Sequence, residues 1–235
     1  LRRSRGLGDV YKRQIMKKVL RREEPVIHEG KEISLPFIGD GAMGVGKPLK
    51  SILHMNPDIP IWLGTGMEST VKLTAEIADG WLPLGLVPEN FDTYKPWIDA
   101  GLEKAGKTSD SFECQAMSNV IITDDVKAGL DRMKPGIALY VGGMGHKSKN
   151  FHKEMMVRRR FGDAAERIQE LYLAKRKDEA TAAVPDEFVD QGALVGNKAR
   201  IQKRFRDWED SGITGLTISG DEQALRLMAE VARLN

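Results

Sequence analysis

Pro60-Ile61-Trp62-Leu63-Gly64-Thr65-Gly66-Met67-Glu68-Ser69 leads through Thr70 to Asp79 and on to Gly80-Trp81-Leu82-Pro83. Ile61 to Leu63 is an apolar run of the length of a buried strand. Gly64 and Gly66 let the chain turn and let a ligand approach the backbone. Ser69 is placed to cap the following helix. On that helix Val71, Ala75 and Ala78 share a face flanked by Leu73 and Ile77, and Asp79-Gly80 ends it. A second apolar run opens at Trp81. Strand, about a dozen helical residues and strand make a βαβ unit, which demands parallel pairing and a right-handed crossover.

In such folds ligands bind beyond the carboxyl ends of the strands. Free backbone N–H groups in the loop Gly64-Thr65-Gly66, backed by a helix N-terminus, suit a phosphate or another anion. Taken alone, the same three residues also read as a plain tight turn.

Downstream, Pro88 to Ala105 reads as a helix with Phe91, Tyr94, Trp97, Ile98 and Leu102 at helical spacing, a core face rather than a cofactor box. Pro96 argues for a break or a late start within it. Phe112 to Thr123 is an apolar-rich strand. Val126, Leu130, Met133 and Ile137 mark a helical face interrupted at Pro135. Tyr140-Val141-Gly142-Gly143-Met144-Gly145 and His146-Lys147-Ser148-Lys149-Asn150-Phe151-His152-Lys153 form a second glycine-rich place. It reads either as a cradle for an anionic tail or as a solvated basic loop. Arg158-Arg159-Arg160 reads as a solvated face. Helices are expected over Asp163–Lys175 with Ala164, Ile168, Leu171 and Tyr172 on one side, over Asp178–Val184, and from Pro185. Leu194-Val195-Gly196 closes this helical insertion. Asn197 caps a helix carrying Ile201, Phe205 and Trp208. Ile213–Ser219 is a strand, and a last helix follows with Leu225, Met228 and Ala229 inward.

Upstream of the opening stretch, Ile15–Arg22 reads as the last turns of a helix. Val26 to Pro36 reads as a small hairpin around Glu29-Gly30, with His28 structural rather than a ligand. Gly39–Lys50 is a loop of the kind that serves as a lid. His54 packs before the strand at Ile61.

The combined run Pro60–Pro83, Leu139–Gly145, Asn150-Phe151-His152 and Val184-Pro185-Asp186-Glu187-Phe188-Val189-Asp190 resembles the luciferase-like monooxygenase family, flavin and deazaflavin enzymes on a TIM barrel. The branch it resembles most depends on coenzyme F420, and the resemblance covers Ile15 to Asn235. An unrelated phosphate-binding barrel would explain the glycine loops but not this run of matches. The resemblance implies an α/β fold, a partial (β/α)8 TIM barrel made of its C-terminal half with a helical insertion. Barrel strands are expected near 61–63, 81–84, 114–122 and 213–219. It implies that Leu63, Gly64, Thr65 and Gly66 meet the phosphate tail of the coenzyme. Thr65 stands where some relatives have another glycine. The catalytic residues are not assigned, because the family's contacts lie largely in the other half of the barrel. The implied chemistry is hydride transfer from reduced F420 to a small organic substrate. The alternatives are an FMN-dependent monooxygenase using oxygen and a non-catalytic flavin-binding relative.

Asp9-Val10-Tyr11-Lys12-Arg13-Gln14 resembles the in-frame translation of a transposon end used in sequencing libraries. Residues 1–14 are therefore expected to be an adapter artefact, and 15–235 the C-terminal part of the domain. A chain so truncated is expected to be inactive. The first 14 residues hold five basic groups and one acid. The formal charge of +2 over 235 residues thus becomes −2 for the rest, with 31 basic and 33 acidic residues. That leaves no basic stripe for nucleic acid. No apolar run is long enough to span a membrane. The single cysteine, Cys114, excludes an intramolecular disulfide and a cysteine-based zinc site, and no metal site is expected. A cytoplasmic protein follows, with a small-molecule substrate as partner and self-association into a homo-oligomer left open.

Overall fold

The computed structural model describes residues 2–30 and 33–233. Lys31 and Glu32, at the tip of the expected hairpin, lie outside them. The chain divides into two units, residues 1–61 and 62–235.

In the first unit the helix expected over Ile15–Arg22 is longer, α1 (Arg2–Arg21), and Arg22 leaves it with a left-handed φ of 56°. The hairpin is present: β1 (His28–Glu29) pairs antiparallel with β2 (Ser34–Leu35). His28 lies against the Tyr11 ring at 5.2 Å, in keeping with a structural role. Gly39–Lys50 has no helix or strand beyond an isolated bridge between Leu49 and Val26.

The second unit begins with β3 (Trp62–Leu63), α2 (Glu68–Ile77) and β4 (Gly80–Trp81). β3 and β4 pair in parallel, Trp62 opposite Gly80 and Leu63 opposite Trp81, as the βαβ reading requires. Ser69 is not the cap of α2. Met67 holds that position, and its N–H donates to the Thr70 hydroxyl at 3.2 Å. The helix thus starts two residues earlier than a Ser69 cap would give, with the Thr70 hydroxyl bonded to both the N–H and the carbonyl of Met67.

α3 (Phe91–Ala105) follows a 3-10 turn at Pro88–Asn90, and Pro96 sits inside it without breaking it. Pro96 lies on the exposed face, where water can satisfy the carbonyl that loses its N–H partner. Phe91, Tyr94, Ile98 and Leu102 are buried, so the aromatic row is core. α2 and α3 pack closely at Gly101, where an added Cβ would stand 2.2 Å from the Lys72 carbonyl oxygen.

β5 (Glu113–Ile122) is the long central strand. It is followed by α4 (Val126–Asp131), α5 (Lys134–Gly143), α6 (Phe151–Arg158), α7 (Gly162–Leu173), α8 (Lys177–Ala182) and α9 (Asp186–Gln191). These six helices are the insertion. The expected closing segment Leu194-Val195-Gly196 is in fact a strand, β6 (Ala193–Gly196), parallel to the end of β5. All four of its residues are buried, so no alternation marked it. α10 (Lys198–Glu209), β7 (Gly215–Ser219) and α11 (Glu222–Val231) complete the unit. α10 is capped by Asn197 as expected. α11 turns Ala224, Met228 and Val231 inward; Met228 is buried as expected, while Leu225 is 47% exposed and Ala229 half-buried.

All pairings in this sheet are parallel: β4 meets the start of β5, and β6 and β7 flank opposite edges of it at Asn119. β3 and β7 each pair on one side only among the described residues. The result is an open five-stranded arc, a partial (β/α)8 barrel with a helical insertion. One core lies between the sheet and α2, α3, α10 and α11, with Trp81, Tyr94, Ile201 and Trp208 at its centre. A second core joins the insertion helices to β6.

Two outcomes test this packing. Gly101→Ala is expected to lower stability by about 2 kcal/mol, measured as a shift in urea midpoint, because the methyl meets backbone. Gly136→Ala, with no atom within 4 Å of the added Cβ, is expected to be neutral or stabilising. Cys114 is buried, and burial pushes its thiol from 9.0 up to about 12. The folded state therefore keeps a proton that the unfolded state loses. That share of stability is intact below pH 9 and is lost as pH rises towards 12, readable in pH-dependent melts.

Candidate functional site

At the loop after β3, the Leu63 and Thr65 carbonyls are turned into the protein. The Leu63 carbonyl accepts from the Leu82 N–H at 3.1 Å, and the Thr65 carbonyl accepts from the Trp81 indole N–H at 2.9 Å. The Thr65 hydroxyl meets that of Thr74 at 2.8 Å, and Thr74 in turn donates to the Thr70 carbonyl. Thr65 is thus fixed at both side chain and main chain. Neither Gly64 nor Gly66 takes a left-handed φ, so what these glycines contribute is room. The N–H groups of Gly64, Thr65 and Gly66 meet no acceptor among the described residues. With carbonyls inward and N–H groups free, the loop presents donors.

Gly64, Thr65 and Gly66 line a cavity of about 370 Å³ whose other walls are Leu82, Leu84 and the α6 residues His152, Met155 and Arg158. Leu63, one residue earlier, belongs to the strand and is not part of the lining. An added Cβ at Gly66 would stand 3.4 Å from Arg158 Nη2, so a guanidinium faces the loop. Arg158 Nε donates to the Tyr94 hydroxyl at 3.2 Å, while its two terminal nitrogens have no acceptor among the described residues. The sequence reading placed Arg158 on a solvated face. Burial of Arg159 and the engagement of Arg158 by Tyr94 overturn that, and only Arg160 of the three is exposed.

α6 is held in place by strong contacts. Asn150 caps it, accepting from the His152 and Lys153 N–H groups at 2.9 and 3.0 Å. Its amide donates back to the Tyr140 and Val141 carbonyls at the end of α5. Lys153 donates to Gln169 of α7 at 2.8 Å and pairs with Glu166 at 2.6 Å. Of the stretch read as a cradle or a basic loop, Met144 to Lys149 is an exposed loop, while the glycines at 142 and 143 belong to a helix. Gly142 and Gly143 are helical, and an added Cβ at either would stand 2.4 Å from Tyr172. These glycines let α5 and α7 touch.

A larger cavity of about 750 Å³ lies at the carboxyl ends of β5 and β7. Ile121, Met133, Ile137, Tyr140 and Phe188 supply apolar walls, and His152 and Met155 line it as they line the first. The His152 ring sits 4.6 Å from that of Tyr140, and burial lowers its pKa below the usual 6.5. It is therefore a neutral imidazole at pH 7. His146, by contrast, bonds Ser148 on the exposed side of the loop. Among the described residues no cluster of His, Cys, Asp or Glu could hold a metal, and no helix is long and apolar enough to cross a membrane.

Residues 12–215 match a known family model, luciferase-like monooxygenase. The chain belongs to the luciferase-like monooxygenase family. A Mycobacterium tuberculosis protein described as a coenzyme F420-dependent oxidoreductase is 38% identical over 219 residues, 92% of this chain and 63% of that protein. The 5,10-methylenetetrahydromethanopterin reductase of Archaeoglobus fulgidus is 28% identical over 163 residues, 66% of this chain and 46% of that one. The solved F420-dependent tetrahydromethanopterin reductase of Methanopyrus kandleri shares the fold, with a TM-score of 0.69 and 20% identity over 93% of this chain and 60% of that one. This luciferase-like chain thus spans less than two-thirds of the length of these relatives.

The environment of His152 gives a direct check. Its ring protons, followed by NMR, are expected to titrate below pH 6.5, and Tyr140→Ala, which admits water, is expected to move the midpoint back up.

Proposed function

We propose that this chain is part of an oxidoreductase that binds coenzyme F420 and transfers a hydride to a small organic substrate. The observation that carries the reading is Arg158 facing Gly66 across a loop whose N–H groups are free. A phosphodiester bears one negative charge and several acceptor oxygens. Main-chain donors from Gly64, Thr65 and Gly66 with one guanidinium fit it in number and sign. The cavity of about 370 Å³ is of ligand size, and its apolar side at Leu82 and Leu84 suits the uncharged part of a tail. The name of the relative from Mycobacterium tuberculosis adds weight to F420 over FMN.

When bound, the reduced deazaflavin supplies the hydride, and the protein supplies binding, orientation and a dry site. The larger cavity, lined by apolar side chains and by polar ones such as Asn119, Arg132, Ser219 and Asp221, and sharing His152 and Met155 with the first, would take the substrate. His152 would offer it a neutral imidazole able to donate or accept one hydrogen bond. The 235-residue chain by itself would not turn over, because β3 and β7 leave strand edges open.

Fluorescence titrations with F420 and FMN in parallel, on this chain and on one extended upstream to the length of its relatives, test the reading. Tight F420 binding with weak FMN binding is expected, and Arg158→Gln should weaken F420 by roughly 10- to 100-fold, as loss of a charged hydrogen bond does. A preference for FMN would instead indicate an oxygen-using monooxygenase of the same fold. Binding of neither would leave a non-catalytic relative.

A further inference from the structure

Lys134 is the one buried lysine among the described residues, 7% exposed. It opens α5, and a helix N-terminus disfavours a cation. The first turn of α5 holds no acid and no side-chain cap. Asp131 is misplaced in the opposite sense, since it ends α4, where the helix C-terminus disfavours an anion. The two correct each other. Lys134 Nζ lies 2.8 Å from Asp131 Oδ1 and also pairs with Asp186, the first residue of α9. Lys127 joins them from α4, 2.6 Å from Asp131 Oδ2 and 3.7 Å from Asp186. Burial alone would discharge Lys134, yet Asp131 and Asp186 hold its pKa above the usual 10.5. Such a buried pair adds little net stability, because desolvation offsets the attraction. What it fixes is geometry: the end of α4 and the starts of α5 and α9 meet at one ammonium.

That point adjoins the larger cavity. Met133 and Ile137, before and after Lys134, and Phe188, two residues beyond Asp186, all line it. Phe188 is held independently. The Arg159 guanidinium carbon lies 4.0 Å from its ring centre, and the Phe161 ring meets it edge-on at 5.4 Å. The first turn of α5 has less to lean on. Pro135 and Gly136 are exposed, and a Cβ at Gly136 would meet nothing within 4 Å. Lys134 ties this turn to α9.

We propose that Lys134 is a positioning residue for the substrate. By drawing Asp131 and Asp186 together it sets the gap between Met133, Ile137 and Phe188, and with it the length of apolar group that the larger cavity accepts. The proposal rests on the reading above that this cavity takes the substrate.

Unbranched 2-alkanones of increasing chain length serve as probes, with binding to the protein followed through the ring protons of His152, which lines the same cavity. In Lys134→Met the ketone bound best is expected to become a longer one. The former best is expected to lose about tenfold, the discrimination that one methylene commands in an apolar pocket. Lys134→Arg should restore the original order. An equal loss for every ketone marks a merely structural lysine and overturns the proposal, as does an unchanged order. Should Lys134→Met fail to fold, Asp186→Asn, at a half-exposed carboxylate, decides in the same way. If no ketone moves the His152 signals of the unaltered protein, the substrate reading fails and methyl NMR judges the clamp. Met133 and Ile137 methyl signals that shift in Asp186→Asn, with Met228 unmoved, support it; unmoved Met133 and Ile137 signals overturn it.

Discussion

The Trp81 indole N–H donates to the Thr65 carbonyl, and much of the molecule depends on that bond. Trp81 is fully buried and meets Tyr94 at a tilt, with ring centres 5.0 Å apart. Its N–H must find an acceptor inside the protein, and the acceptor it finds is in the loop that ends the preceding strand. One bond therefore fixes the loop carbonyl inward and leaves the loop N–H groups outward. The same Tyr94 takes the Nε of Arg158 on its hydroxyl. Core, loop and guanidinium are joined through two aromatic side chains. Such a site inherits the rigidity of the core beneath it rather than the mobility of a loop.

The insertion completes this arrangement from the other side. α6 reaches the loop cavity only because Asn150 turns the chain out of α5 and Lys153 clamps it to α7. Its residues at positions 152, 155 and 158 recur at helical spacing and face one way, so a single helix serves both cavities. Met155 lies so close to Gly85, after β4, that a Cβ there would stand 2.4 Å from its sulfur. A segment that looks like an elaboration of the barrel thus furnishes a wall of its site.

Much of the fold was legible in the sequence, because the βαβ unit at Pro60–Pro83 carries strand, glycine loop and amphipathic helix in the right order and lengths. What was not legible has physical reasons. Ala193–Gly196 is too short and too evenly buried to show a strand period. The glycines at 142 and 143 look like a flexible loop, but their lack of side chains answers to Tyr172, a residue 30 positions away. For the candidate site, the loop glycines could be read, while Arg158 and Arg159 could not. Three arginines in a row look solvated until the partners Tyr94, Phe188 and Gln191 are known, and those come from distant parts of the chain. The one local hint was the helical offset of Arg158 from Met155 and His152.

The wall formed by His152 and Met155 stands between two compartments, each of a size to hold a ligand. Two chambers that share wall residues are thermodynamically linked wherever a ligand in one shifts those side chains. A molecule in one chamber that presses these side chains towards the other changes the space left there, and the free energy of that change is felt equally in both directions. The coupling is reciprocal, so each ligand alters the affinity of the other by the same factor whichever enters first.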